Sequence, residues 1–181
     1  MFDFSKNYFE LFGLPVGFVL DGQELAARYR ELQKVVHPDR FASAGEQSQR
    51  LSLQGATLIN EAYVTLKEPL QRAQYLLALK GVEVDNQQST LNDPAFLMQQ
   101  MELRESLERI RSVDDPHAEL DGLMRDITAQ IKSSVAQLAV QFEESDVEHL
   151  DAAAQIIKKM QFLNKLLAEA EAIEADLEEL L

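Results

Sequence analysis

The chain has no cysteine and no tryptophan in its 181 residues. Without thiols there can be no disulfide, no cysteine nucleophile, no thiolate zinc site and no thiolate-held iron–sulfur cluster. Glycine (7) and proline (5) are scarce, and the glycines never gather into a phosphate loop, a nucleophile elbow or a calcium loop. Basic residues are outnumbered, 17 Lys and Arg against 31 Asp and Glu, for a formal net charge of -14. Nucleic-acid binding rests on neutralising phosphates, so a general affinity for nucleic acid is not expected. Docking to an anionic membrane surface is disfavoured for the same reason. No apolar run approaches the length of a membrane span. The opening MFDFSKNYFELFGLP has no basic stretch leading into an apolar one, so no secretory signal is expected and a soluble cytoplasmic protein is the default.

What is present describes a folded protein. Hydrophobic residues make up 46% and charged ones 27%, which is ordinary for a soluble chain and too apolar for wholesale disorder. The charge is unevenly spread. Residues 1–75 hold 8 basic and 9 acidic residues, whereas residues 76–181 hold 9 basic and 22 acidic ones. Such asymmetry suggests two modules with different partners. The polar stretch GVEVDNQQSTLNDP, from Gly81 to Pro94, has no sustained helical period and reads as the joint. Expected boundaries are therefore 1–80 for the first domain, 81–93 for a linker and 94–181 for the second.

Helical patterning dominates both modules. Tyr8, Leu11, Phe12 and Leu14 form a short apolar cluster closed by Gly13 and Pro15. Asp21 with Glu24 three residues on forms a capping-box signal, with Leu20 able to staple onto Leu25. The helix it opens carries the stripe Leu25, Tyr29, Leu32 and Val36 and stops at Pro38. A third helix is expected from about Ser43 to Leu66, and a fourth from Pro69 to about Lys80. Beyond the joint, Asp93-Pro94 and Asp115-Pro116 start two more, ending near Arg111 and Glu143, and Ser145 with Glu148 is expected to cap a last one running towards Leu181. No segment alternates at period two for long enough to be a strand. The fold class is all-α.

Catalytic signals are few. His37, His117 and His149 lie in different elements, none with a second ligand at the spacing that builds a zinc site. The many carboxylates read as solvated helix faces. Neither an enzyme active site nor a cofactor is expected; a binding module built from helix faces is. One short piece goes beyond that. His37-Pro38-Asp39-Arg40 falls between two helices that should pack as an antiparallel hairpin, where Pro38 alone could serve as a helix stop. With Leu25 at 0° on a helical wheel, Tyr29, Leu32 and Val36 lie within about 40°, while Arg30 and Lys34 fall near 140° and 180° and Arg28 on the flank. The helix buries one side and presents a basic ridge that ends at the His-Pro-Asp loop.

This pattern resembles the J-domain, the module by which co-chaperones engage DnaK-type chaperone ATPases. The matching residues are Tyr8, Leu11, Gly13 and Leu14, the basic second helix, His37-Pro38-Asp39, Ile59-Asn60-Glu61-Ala62-Tyr63, Leu66, Pro69, Arg72-Ala73 and Tyr75. One departure is Val36, where most J-domains have Tyr; it should alter core packing more than recognition. There is no Gly/Phe-rich linker and no zinc region. The order of J-domain, short joint and acidic three-helix segment is similar to the HscB family, the J-domain co-chaperones of iron–sulfur cluster biogenesis. FASAGEQSQRLSLQGATLINEAY, AFLMQQMELRESLERI and MQFLNKL extend the resemblance over nearly the whole chain, in its bacterial cytoplasmic form.

The second domain also reads on its own terms. In the helix after Pro94, Phe96, Leu103, Leu107 and Ile110 share one direction within about 40°, an ordinary core stripe. Leu97, Met98 and Met101 fall at about 100°, 200° and 140° from Phe96, framed by Glu102 and Glu105. An apolar patch edged by carboxylates on a soluble protein commonly marks a partner site, though a central helix burying both faces would give the same pattern. The middle helix shows only a single stripe, Leu120, Met124, Ile127, Ile131, Val135, Leu138 and Phe142. The resemblance implies that Leu97, Met98, Met101, Glu102, Glu105 and, on the last helix, Phe162 bind an IscU-like cluster-assembly scaffold. It further implies that Arg28, Arg30, Lys34, His37, Pro38, Asp39 and Arg40 engage an HscA-like ATPase. Phe162 lies about 120° from the stripe Ile156, Met160, Leu163 and Leu167, which agrees with an off-core place. The alternative expectation is a helical structural protein whose His-Pro-Asp loop is only a turn.

Overall fold

The computed structural model describes residues 3–37, 45–82, 94–144 and 146–179. The chain divides into two compact units, Met1–Leu79 and Lys80–Leu181. Among the described residues every regular element is a helix. The first unit holds α1 (Tyr8–Phe12), α2 (Gly22–Val36), α3 (Glu46–Lys67) and α4 (Pro69–Leu79), and the second α5 (Pro94–Arg109), α6 (Pro116–Gln141) and α7 (Val147–Glu178). The fold is all-α, a J-domain hairpin followed by a C-terminal helical bundle.

Local chemistry sets the ends. The five-residue α1 is closed at both ends: the Asn7 side chain accepts from the Glu10 N–H at 3.0 Å and the Glu10 carboxylate from the Asn7 N–H at 2.9 Å. Gly13 then turns left-handed at φ 64°, a conformation that a Cβ would penalise. At α2 the capping box is only half made. Asp21 accepts from the Gln23 and Glu24 N–H groups, but the Glu24 carboxylate is turned to Arg28, 3.6 Å away. The cap of α7 is Asp146, which accepts from the His149 N–H at 3.0 Å; Ser145, expected there, lies outside the described residues, as does Ser43.

The first core gathers Phe9, Phe12, Leu14, Phe18, Leu25, Val36, Ile59, Ala62, Leu66, Ala73, Leu76 and Leu77. Each large member contributes about 1.5–3 kcal/mol of burial. Phe9 and Phe18, absent from the sequence-level core, are both buried. Phe18 is used twice, because the Arg72 guanidinium lies over its ring at 4.9 Å. Arg72, itself buried, donates through Nη1 to the Leu66 carbonyl near the end of α3. That carbonyl lies in the last turn, where helix acceptors lose their intrahelical partners, and the extended Glu68 before Pro69 prevents α3 from simply running on. Burial lowers the Arg72 pKa, and Glu68 nearby opposes that shift.

In the second unit α6 and α7 make the most extensive pairing, and α5 rests on both. Leu107, Ile110, Leu120, Leu123, Ile127, Leu163, Leu166 and Ala170 form its core, with Leu103, Met124, Ile131 and Phe162 packed against it. Among the described residues no helix is long and apolar enough to cross a membrane.

Candidate interaction surfaces

The ridge on α2 is held in orientation by its opposite side. Tyr29 stacks on Tyr63 with centroids 4.1 Å apart. Its hydroxyl donates to the Asn60 side-chain Oδ1 at 2.9 Å, and the Gln33 amide donates to the same atom. At the end of α2 the buried Ser52 hydroxyl donates to the Val36 carbonyl at 2.6 Å. Val36 is buried, so the residue that departs from the J-domain pattern is a core residue, as expected. These contacts pin α2 to α3 one residue before the loop. Arg28, Arg30, Lys34 and His37 are all exposed. The ion pair of Arg28 with Glu24 cancels part of its charge. Pro38, Asp39 and Arg40 lie outside the described residues.

The surface on α5 is the outward side of a helix whose inward side is fully used. Phe96, Leu107 and, just beyond α5, Ile110 are buried, whereas Leu97 is 39% exposed, Met98 64% and Met101 74%. Those values exclude the reading in which α5 buries both faces. Glu102 and Glu105 are exposed beside them, and Glu105 is 3.9 Å from Arg109. Next to the patch, between α5 and α6, runs a groove of about 650 Å³ whose lining includes Met98, Glu102, Gln130, Ser133 and Gln137.

Phe162 does not join that exposed set. It is half-buried, packed on the core and edge-on to Phe96 at 5.8 Å. The fixed wheel misled because the buried stripe of α7 is not straight. From Ile156 as zero, Leu150 and Ile157 fall at about 120° and 100°, but Leu166 and Ala170 at about -80° and -40°. The stripe drifts towards the flank on which Phe162 meets Phe96 of α5, which brings Phe162, at about -120°, to within 40° of Leu166. Sequence reading also missed Lys159, whose ammonium lies 5.2 Å from the Phe96 ring centroid. Its place one turn before Phe162 on the same flank was the available signal.

Among the described residues no group of His, Cys, Asp or Glu could hold a metal ion. His149 sits at the start of α7 with Nδ1 2.8 Å from the Asp146 carboxylate. That hydrogen bond raises the imidazole pKa, while the carboxyl's is lowered first by the His149 backbone N–H and then by the ring.

Comparison with known proteins agrees with two helical units of this kind. Residues 92–180 match the family model described as the HSCB C-terminal oligomerisation domain. A co-chaperone HscB homolog of Vibrio cholerae is 50% identical over 171 residues, covering 94% of this chain and 98% of the relative. The solved chaperone HscB from Vibrio cholerae superposes with a TM-score of 0.83 at 46% identity, over 95% of this chain and 99% of that one. Human co-chaperone HscB gives a TM-score of 0.86 at 28% identity, over 95% and 84%. With identity at this level spanning both units, the chain belongs to the HscB family of co-chaperones.

Proposed function

We propose that this chain is a bacterial cytoplasmic adaptor of iron–sulfur cluster assembly. It stimulates the ATPase of an HscA-like, DnaK-type chaperone and delivers an IscU-like scaffold to it. The observation that supports this reading is that each unit keeps one helix face its own core does not use. On α2 that face is basic, and on α5 it is apolar with an acidic border.

In this reading Arg28, Arg30, Lys34 and the His37-Pro38-Asp39-Arg40 segment meet an acidic surface of the ATPase. Hydrolysis belongs to the partner; Asp39 biases it towards its hydrolysis-competent state. Leu97, Met98 and Met101 supply apolar contact to the scaffold, Glu102 and Glu105 its charged border, and Phe162 seats the first turns of α5. Holding both partners on one chain makes the second encounter nearly intramolecular, which raises its effective concentration. Two rigid partners need bring no new contact with each other for this to work.

A steady-state ATPase assay with a purified DnaK-type partner tests the proposal. Wild type should stimulate turnover, scaffold should enhance it, and Asp39→Ala should abolish it with an unchanged melting transition. An Asp39→Ala protein as active as wild type would instead favour a helical structural protein whose His-Pro-Asp segment is only a turn.

A further inference from the structure

We infer that Met98 and Met101 form a reversible oxidation site at which a peroxide closes the α5 face to its partner. This rests on the docking role proposed for that face and adds its regulation. With no cysteine in the chain, no thiolate competes for oxidant, and the thioether sulfurs become the most readily oxidised side chains. Their exposures differ sharply. Met98 and Met101 are 64% and 74% exposed, Met124 is half-buried against the core, and Met160 is 1% exposed. The two open sulfurs sit three residues apart on one helix face, beside Leu97, so both alter the same surface.

The chemistry needs only hydrogen peroxide. A sulfur lone pair attacks the terminal peroxide oxygen, an S–O bond forms as the O–O bond breaks, and the departing oxygen leaves as water with the displaced proton. The thioether is oxidised by two electrons and the peroxide reduced by two. Methionine suits an adaptable apolar patch because it is flexible and polarisable; the sulfoxide is polar, chiral and a strong hydrogen-bond acceptor, and burying it unpaired in an interface is unfavourable. Because the side chains are exposed, the fold has no reason to respond. Thiol-dependent sulfoxide reductases reverse the step, one enzyme for each epimer.

The test treats full-length protein with hydrogen peroxide and maps the added oxygen by mass spectrometry, then measures scaffold binding and melting. Oxygen should appear at Met98 and Met101 before Met124 and Met160. Wild-type binding should fall on the order of tenfold or more, as expected for interface anchors made polar, at an unchanged melting temperature. Both epimer-specific reductases with a dithiol should restore it. A Met98→Leu/Met101→Leu variant is read by its change on treatment rather than by its starting affinity, and that change should be absent. Oxidation first at Met124 or Met160, or oxidised wild type that binds as reduced protein does, overturns the inference alone. Reduced wild type that fails to bind scaffold overturns the docking role, and the inference with it.

Discussion

The phenol of Tyr8 sits between solvent and core. Its ring stacks on Tyr75 with centroids 4.4 Å apart, its hydroxyl donates to Glu61 at 2.9 Å, and its own backbone N–H donates to the Tyr75 hydroxyl at 2.9 Å. Burial, then the hydrogen bond to Glu61, raise its pKa from 10.0 to about 12. The folded state therefore favours the neutral phenol. Its contribution is complete below about pH 10, where the phenol is neutral in both states, and is lost as pH rises from about 10 to about 12. Urea unfolding followed across that window should show stability falling in wild type and falling less steeply in Tyr8→Phe. Some slope remains in the variant, because burial also raises the Tyr75 pKa. Equal slopes would mean that Tyr8 ionises alike in both states. Tyr8, Glu61 and Tyr75 were all visible in the sequence as positions of the J-domain pattern. What they do for one another was not, since α1 and α4 meet only once the chain has folded and no local period links residues 67 apart.

Helix α5 shows how much an element's own sequence can reveal, and α7 shows where that stops. On α5 the side chains placed at about 0° are buried or, at Leu103, partly buried, and those at about 100–200° are exposed, because the helix is short and packs in one direction throughout. Over the 32 residues of α7 the buried side drifts around the helix, and a single averaged direction placed Phe162 wrongly. Half-made boxes misled in the same local way: Glu24 had two possible uses, the cap or Arg28, and spacing alone cannot rank them. The difference between the two helices separates roles that otherwise look alike. Leu97→Ala with Met101→Ala should change unfolding free energy by no more than about 0.5 kcal/mol apiece, as exposed sites do. Phe162→Ala removes the edge-on contact to Phe96 and half a core side chain, and should cost about 2 kcal/mol, below the range for a fully buried Phe. Scaffold binding should weaken in both, on the order of tenfold or more for truncated anchors. Matched stability losses in the two proteins would mean that Leu97 and Met101 support the fold.

At the scale of the whole chain, nearly all the net negative charge lies after residue 75, while the α2 ridge is a cationic strip on an almost neutral unit. Charge of that kind acts mainly on encounter rate and is screened within about 8 Å at physiological ionic strength. Stimulation of the chaperone should therefore fall as salt is added, and charge reversal on the ridge should remove much of that dependence. The two reversals are not equivalent. Lys34 lies in the last turn of α2, where a cation complements the helix dipole, so Lys34→Glu carries a helix cost of about 0.3–1 kcal/mol besides any loss of recognition. Arg30 lies a full turn earlier and is exposed, so Arg30→Glu reports recognition with little helix penalty. Arg28 carries least information, because Glu24 already answers its charge. Arg30→Glu alone should weaken stimulation on the order of tenfold at low salt and converge towards wild type at high salt, with scaffold binding and melting unchanged. The double α5 variant should do the reverse, losing the scaffold while keeping scaffold-free stimulation. Stimulation by Arg30→Glu that matches wild type at every salt concentration would mean the ATPase is met by an apolar contact rather than by the ridge.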